Sequence, residues 1–297
     1  MNPQWVFIDR DGRMRSGWRF TVFAVGFIFL SALLTAGVSV AMPKDLSNEA
    51  AGSAIYFLIF NLATLIPALI VGWLCNRYLD GRPFISLGIS FSGRWIRHLA
   101  TGLLVGVLTL CFGVLVAFVF GGLTFSSDPV SWGQIGRTLA LSLVVFAVAA
   151  ASEEVLCRGY PLQTFFHSNL KIFGIIFTAL IFASGHLGNP NVNALSWINT
   201  FLAGIWFATA YWRTRDLWFP IGIHLMWNWM QGAFFGIEVS GLTDVTSSPL
   251  LREIDRGPAW LTGENYGIEA GISCTIALIV STAAIYFWPG KTKQPES

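Results

Sequence analysis

A chain of 297 residues with 54% hydrophobic and 11% charged side chains is far poorer in charge than a soluble globular protein, which carries about 25%. A mean hydropathy of +0.62 excludes an ordinary soluble domain, and the composition is that of a membrane protein. The net charge of +2 supplies no basic footprint, and no nucleic-acid partner is expected.

Residues 1–17 form a polar tail with Arg10, Arg13 and Arg15, followed by Arg19 and an apolar run. A secretory signal would have a shorter apolar core and a small-residue cleavage site. The run therefore reads as a retained first membrane helix with a cytoplasmic tail. A spanning helix needs about 20 mainly apolar residues. Candidate spans are 18–41, 54–74, 98–120, 136–157, 171–187, 196–212, 218–236 and 268–288. The fifth and sixth are short. The fourth can run on past Arg158, with Pro161 making a kink or a new start.

Basic residues orient these spans. With the N-terminus inside, the inner segments hold fourteen Lys and Arg. The outer ones hold four: Lys44, Arg137, Arg252 and Arg256. That asymmetry follows the positive-inside rule. An even number of spans keeps Lys291 and Lys293 inside. The expected fold is all-α: a polytopic transmembrane bundle of about eight helices over 18–288. It is expected in the cytoplasmic (inner) membrane, surrounded by lipid, with both termini cytoplasmic. Residues 289–297 would be the C-terminal tail, and the acidic 237–267 segment a partly ordered outer cap. Cys75, Cys111, Cys157 and Cys274 share no CxxC spacing and read as small hydrophobic side chains.

Ionisable residues inside a membrane are functional candidates by default. In ASEEVLCRGY, Glu154 and Arg158 are four apart, acid first, which favours an ion pair. Glu153 is turned about 100° from Glu154 and is poorly placed to share that arginine. An unshared carboxylate can take a proton from water and return it. In FASGHLGNPN, His186 ends an apolar run among glycines. In FPIGIHLMWNWMQG, His224 and Asn228 are four apart and point the same way from one helix. Such a pair can present hydrogen-bond donors to a developing negative charge or serve as helix–helix glue. His98 and His167 read as interfacial.

Glu153-Glu154-x-x-x-Arg158, Phe182-x-x-x-His186 and His224-x-x-x-Asn228 follow one another on successive hydrophobic regions. Together they resemble the CPBP family of intramembrane proteases. That family takes in the type II CAAX prenyl endopeptidases (Rce1-like) and the bacterial bacteriocin-processing and immunity proteins formerly called Abi. The resemblance covers a core of about 98–236. It implies hydrolysis of peptide bonds in membrane-associated peptides or proteins, on a side open to the cytoplasm. Glu153 would be the general base, with His186 holding or polarising the attacking water. His224 and Asn228 would stabilise the oxyanion, and the Glu154–Arg158 pair would brace the helix.

The family is usually described as metalloproteases. A zinc site would draw three ligands from Glu153 or Glu154, His186 and His224. No HExxH is present, and a metal-free version in which Glu153 acts directly stays open. One feature opposes convergence of these residues. Glu153 lies deep in the fourth span counted from outside, and His186 about 15 residues up the fifth counted from inside. They are level only if the fifth helix starts low, the helices tilt or the chain kinks near Pro161. The alternatives are a proton-coupled transporter and a non-catalytic scaffold.

Overall fold

The structure is a computed structural model, and it describes residues 6–9, 12–42, 50–91, 93–127, 130–243 and 245–289. Arg10, Lys44, Lys291, Lys293 and nearly all of the 289–297 tail lie outside the described residues. The order of elements is α1 (Ser16–Ala41), α2 (Ala50–Leu79), α3 (Trp95–Val119), β1 (Leu123–Ser126), α4 (Trp132–Arg158) and α5 (Tyr160–His167). There follow α6 (Lys171–Gly185), α7 (Ala194–Thr214), α8 (Trp218–Trp229), β2 (Arg252–Asp255), α9 (Ala259–Thr262) and α10 (Ile272–Phe287). The class is all-α and polytopic, as expected. The two short strands pair antiparallel, Leu123 opposite Asp255 and Ser126 opposite Arg252.

Helices apolar on every face need lipid on their outer side. On α1, Val25, Ile28 and Phe29 are all exposed. Among the described residues, four helices are long and apolar enough to cross a membrane: Ser16–Ala41, Ser53–Leu79, Trp95–Val119 and the run Trp132–His167. α6 and α10 are apolar but shorter. Length and apolarity thus support several spans without establishing eight.

The break between α4 and α5 falls at Gly159, ahead of Pro161. Gly159 has ψ −127°, and its N–H reaches the carbonyls of Glu154 and Val155 at 3.1 Å. A Cβ there would collide with the Val155 carbonyl oxygen. Pro161 occupies the first turn of α5, where its missing N–H costs nothing. α5 then fills the corner at one end of the bundle as a separate element. α6 is a helix of only 15 residues, and its last turn reaches Glu153. The expected mismatch in level is removed this way.

Glycines set the position of α8. Gly102 and Gly106 of α3 lie against the Phe219 and Ile223 carbonyls, and Gly222 of α8 lies against the Leu99 carbonyl. A side chain at any of these three points would force the backbones apart. Gly204 of α7 packs equally closely on Ala179 of α6. α8 ends in a π-helical turn, Met230–Phe234, a distortion often found beside functional residues. Trp206, Phe207, Ile223, Trp227 and Phe182 pack in the largest buried cluster, around the helices that carry the motifs.

The two ends of the bundle differ. At one end Arg19 pairs with Asp80, and His98 with Asp216. There too Arg82 bonds His167 at 2.9 Å, and Trp218 Nε1 bonds the Ser90 carbonyl at 2.9 Å. The other end carries the β1–β2 pair and side chains bonded to loop carbonyls. Asn189 reaches Ser240 at 3.0 Å, and Asn199 reaches Glu269 and Gly271 at 2.8 and 2.9 Å.

Candidate active site

Glu154 and Arg158 have side chains with 0% exposure and lie 3.0 Å apart. Burying two charges is tolerable only when the remaining polar atoms find partners. Arg158 Nη2 donates to the Gly204 carbonyl at 2.9 Å. The guanidinium also lies over the rings of Phe182 and Phe207, 4.6 and 5.1 Å from their centroids. Helix closeness at Gly204 and aromatic faces on α6 and α7 therefore hold the arginine from three sides. The pair expected from the sequence is present.

Glu154 has a second partner that the sequence did not indicate. Oε1 lies 3.1 Å from His224 Nδ1. An ionised carboxylate can only accept, so Nδ1 carries the proton and Nε2 is left facing away. His224 also stacks on Phe207 with 4.5 Å between ring centroids. One carboxylate thus fixes both the arginine and the imidazole.

His186 sits just past the end of α6 and is oriented by its own helix. Its Nδ1 lies 2.8 Å from the Phe182 carbonyl, which again can only accept. Nε2 of His186 lies 3.9 Å from Glu153 Oε2, and Nε2 of His224 lies 3.8 Å from the same atom. Three polar atoms, two imidazole nitrogens and a carboxylate oxygen, converge without touching. Glu153 Oε2 is buried and has no hydrogen-bond partner among the described residues. The gap suits a small group that brings its own protons or positive charge, and a contact beyond 3.5 Å is the spacing of a bridged one.

Zinc would need ligands about 2.0–2.2 Å from one centre in a tetrahedral array. Both imidazoles have a hydrogen-bonded Nδ1, as metal-bound histidines do. Donors around a tetrahedral zinc stand about 3.4 Å from one another, so His186 Nε2, His224 Nε2 and Glu153 Oε2, with separations of 3.9 and 3.8 Å, are the residues that would hold a metal here.

Glu153, His186, His224 and Asn228 all line one cavity of about 380 Å³. Glu153 is 30% exposed and His186 19%, against 6% for His224. The Glu153 side of the cluster therefore faces the cavity, and the Glu154 side is sealed. The five candidate positions and Arg158 are brought together from α4, α6 and α8. The cavity also takes in Asn61, Asn199, Ser240 and Glu269, which the motifs did not single out. Glu269 accepts from Trp227 Nε1 at 3.1 Å and from Ser240 Oγ at 2.9 Å. An acid in GIEAG just before the last apolar run was a visible signal for it. The Gly204 carbonyl and the Phe207 ring left no comparable signal, because backbone groups and aromatic faces carry none.

Bundle and cluster together define a polytopic helical membrane protein with a carboxylate–imidazole site inside it. Residues 135–230 match the family model of Rce1-like type II CAAX prenyl endopeptidases. That stretch runs from α4 into the turn after α8 and contains all three motifs, so over about a third of its length the chain is similar to the Rce1-like CAAX-protease family, in line with the resemblance. The comparisons with curated proteins and with solved structures gave no match.

Proposed function

We propose that this protein is an intramembrane endopeptidase that cleaves membrane-associated peptides or proteins with a water activated by Glu153. The observation that carries this reading is the convergence of both Nε2 atoms on Glu153 Oε2. A water placed between them would donate one hydrogen to the carboxylate and the other to an imidazole. Glu153 takes the proton as the water oxygen bonds to the scissile carbonyl carbon. The carbonyl oxygen becomes an oxyanion within reach of Asn228 and His224. Because His224 Nδ1–H is held by Glu154, its Nε2 donates once the ring has taken a second proton from solvent, and His186 Nε2 is then the imidazole that accepts the second hydrogen of the water. The Glu154 carboxylate compensates that charge. Collapse of the intermediate breaks the C–N bond, and Glu153 returns its proton to the leaving amine.

Glu154 and Arg158 act as positioning residues. The reading is metal-free, with Glu153 acting directly on water; in the metal-dependent alternative Glu153, His186 and His224 would hold a zinc ion that polarises the same water. The localisation that goes with it is multi-pass in the cytoplasmic membrane with both termini inside. Prenylated substrates fall within the reading only through the family's name.

The test is cleavage of a membrane-anchored peptide panel by purified protein. Wild type, Glu153→Gln and His186→Ala are run with and without phenanthroline. Loss of cleavage in both variants is expected, with no effect of the chelator on wild type. Cleavage that survives both substitutions would refute the residue roles. Inhibition by the chelator would refute the metal-free part alone.

A further inference from the structure

The site cavity is lined from the middle of the bundle to one of its ends. Phe57 and Asn61 contribute from the first half of α2, Asn189 from the turn after α6, and Asn199 from the start of α7. Thr246 and Glu269 contribute from the segments beyond α8. Among the described residues, none in 80–98, 158–175 or 209–220 lines it. Those ranges make up the opposite end. It holds Arg82, Arg94, Arg97, Lys171, Arg213 and Arg215 and is stapled by the Arg19–Asp80 and His98–Asp216 pairs.

Between the cavity and that basic end the bundle is solid. Glu154 and Arg158 are fully buried, and Tyr160, Leu162 and Gln163 below them are buried as well. At the cavity end the acids outnumber the bases, with Glu238, Glu253, Asp255, Glu264 and Glu269 beside Arg137, Arg252 and Arg256. Basic loops stay on the cytoplasmic side of a membrane. The end that carries the cavity is then the other one.

We infer that the site is reached from the non-cytoplasmic face of the membrane. Its substrate class is a membrane-associated peptide whose scissile segment lies on that face. A C-terminus prenylated in the cytoplasm would meet the sealed, arginine-rich end. The substrate part of this inference rests on the proteolytic reading above. The direction of access does not.

The experiment reads access without reading cleavage. Asn189→Cys and Thr246→Cys place thiols at the cavity. Arg97→Cys and Trp260→Cys place exposed controls at the basic and the cavity end. Each full-length variant is treated with a membrane-impermeant maleimide in right-side-out and in inverted vesicles. The modified peptide is identified by mass spectrometry, so the four native cysteines do not interfere. Labelling of Asn189→Cys and Thr246→Cys from the right-side-out face only, together with Trp260→Cys, is expected, at least tenfold above the inverted preparation. Arg97→Cys should show the reverse pattern. Labelling of both cavity thiols from the inverted face, from both faces or from neither overturns the inference. Two cavity positions guard against one variant that fails to insert. The same labelling in a Glu153→Gln background keeps the result separate from activity. Failure of every peptide to be cleaved would count against the protease and leave the direction of access decided by the thiols.

Discussion

Glu153 and Glu154 are neighbours in sequence and opposites in environment. Glu154 is sealed between Arg158 and His224, while Glu153 reaches the cavity. The 100° step of the helix is what separates them. In the proposed mechanism, removing Asn228 takes one donor from the oxyanion. Asn228→Ala should lower kcat about 100- to 1000-fold with little change in KM, which steady-state kinetics on a cleaved peptide will check. Arg158→Ala leaves Glu154 buried without its arginine and should cost about 3–5 kcal/mol of stability. The double change Glu154→Leu with Arg158→Met should restore most of that stability, read as a thermal midpoint in detergent. It should not restore activity, because His224 loses the carboxylate that orients it. Recovery of activity in the double variant would show that Glu154 has no positioning role.

α8 owes its place to small residues rather than to its own apolar face. Gly102, Gly106 and Gly222 let α3 and α8 touch backbone to backbone. Gly102→Val would push α8 outward and move His224 away from Glu153. Overpacking of this kind costs about 1–3 kcal/mol. The expected outcome is a lowered thermal midpoint together with a loss of cleavage well beyond what that destabilisation explains. Unchanged activity would mean that α8 tolerates displacement. The break at Gly159 is the second decision taken by an element. The sequence drew attention to Pro161, but Pro161 only starts α5, and it is the missing Cβ of Gly159 that allows the turn. A proline is conspicuous in a helical run, whereas a glycine's role depends on which carbonyl lies opposite it.

The molecule as a whole has one end rich in arginine and one end built from loops, a strand pair and carboxylates. Glu253 in β2 is pushed up to about 8 by burial and by the neighbouring Glu238 and Asp255. Its folded form holds the proton more tightly than the unfolded chain, whose ordinary value is 4.5. The stability this provides is fully present below pH 4.5 and is lost as pH rises through 8. Glu253→Gln should therefore flatten the fall in thermal midpoint across that window, measured from pH 5 to 8.5. An unchanged slope would place the pH dependence elsewhere.

Composition fixed the membrane class, because a chain with so few charges cannot cover itself in water. The motif spacing assembled the candidate residues, because residues four apart share a face on any helix. Arg158 could be paired with Glu154 on the same ground. The number of spans was less legible, since short apolar runs such as Lys171–Gly185 do not declare whether they cross. His224 bonding to Glu154, 70 positions away, could not be read from spacing at all. Nor could the sealed floor beneath Glu153, which depends on α5 folding back under the site. Local periodicity is written along a chain. Contacts between distant helices, and the end at which a cavity opens, are decided only when those helices pack.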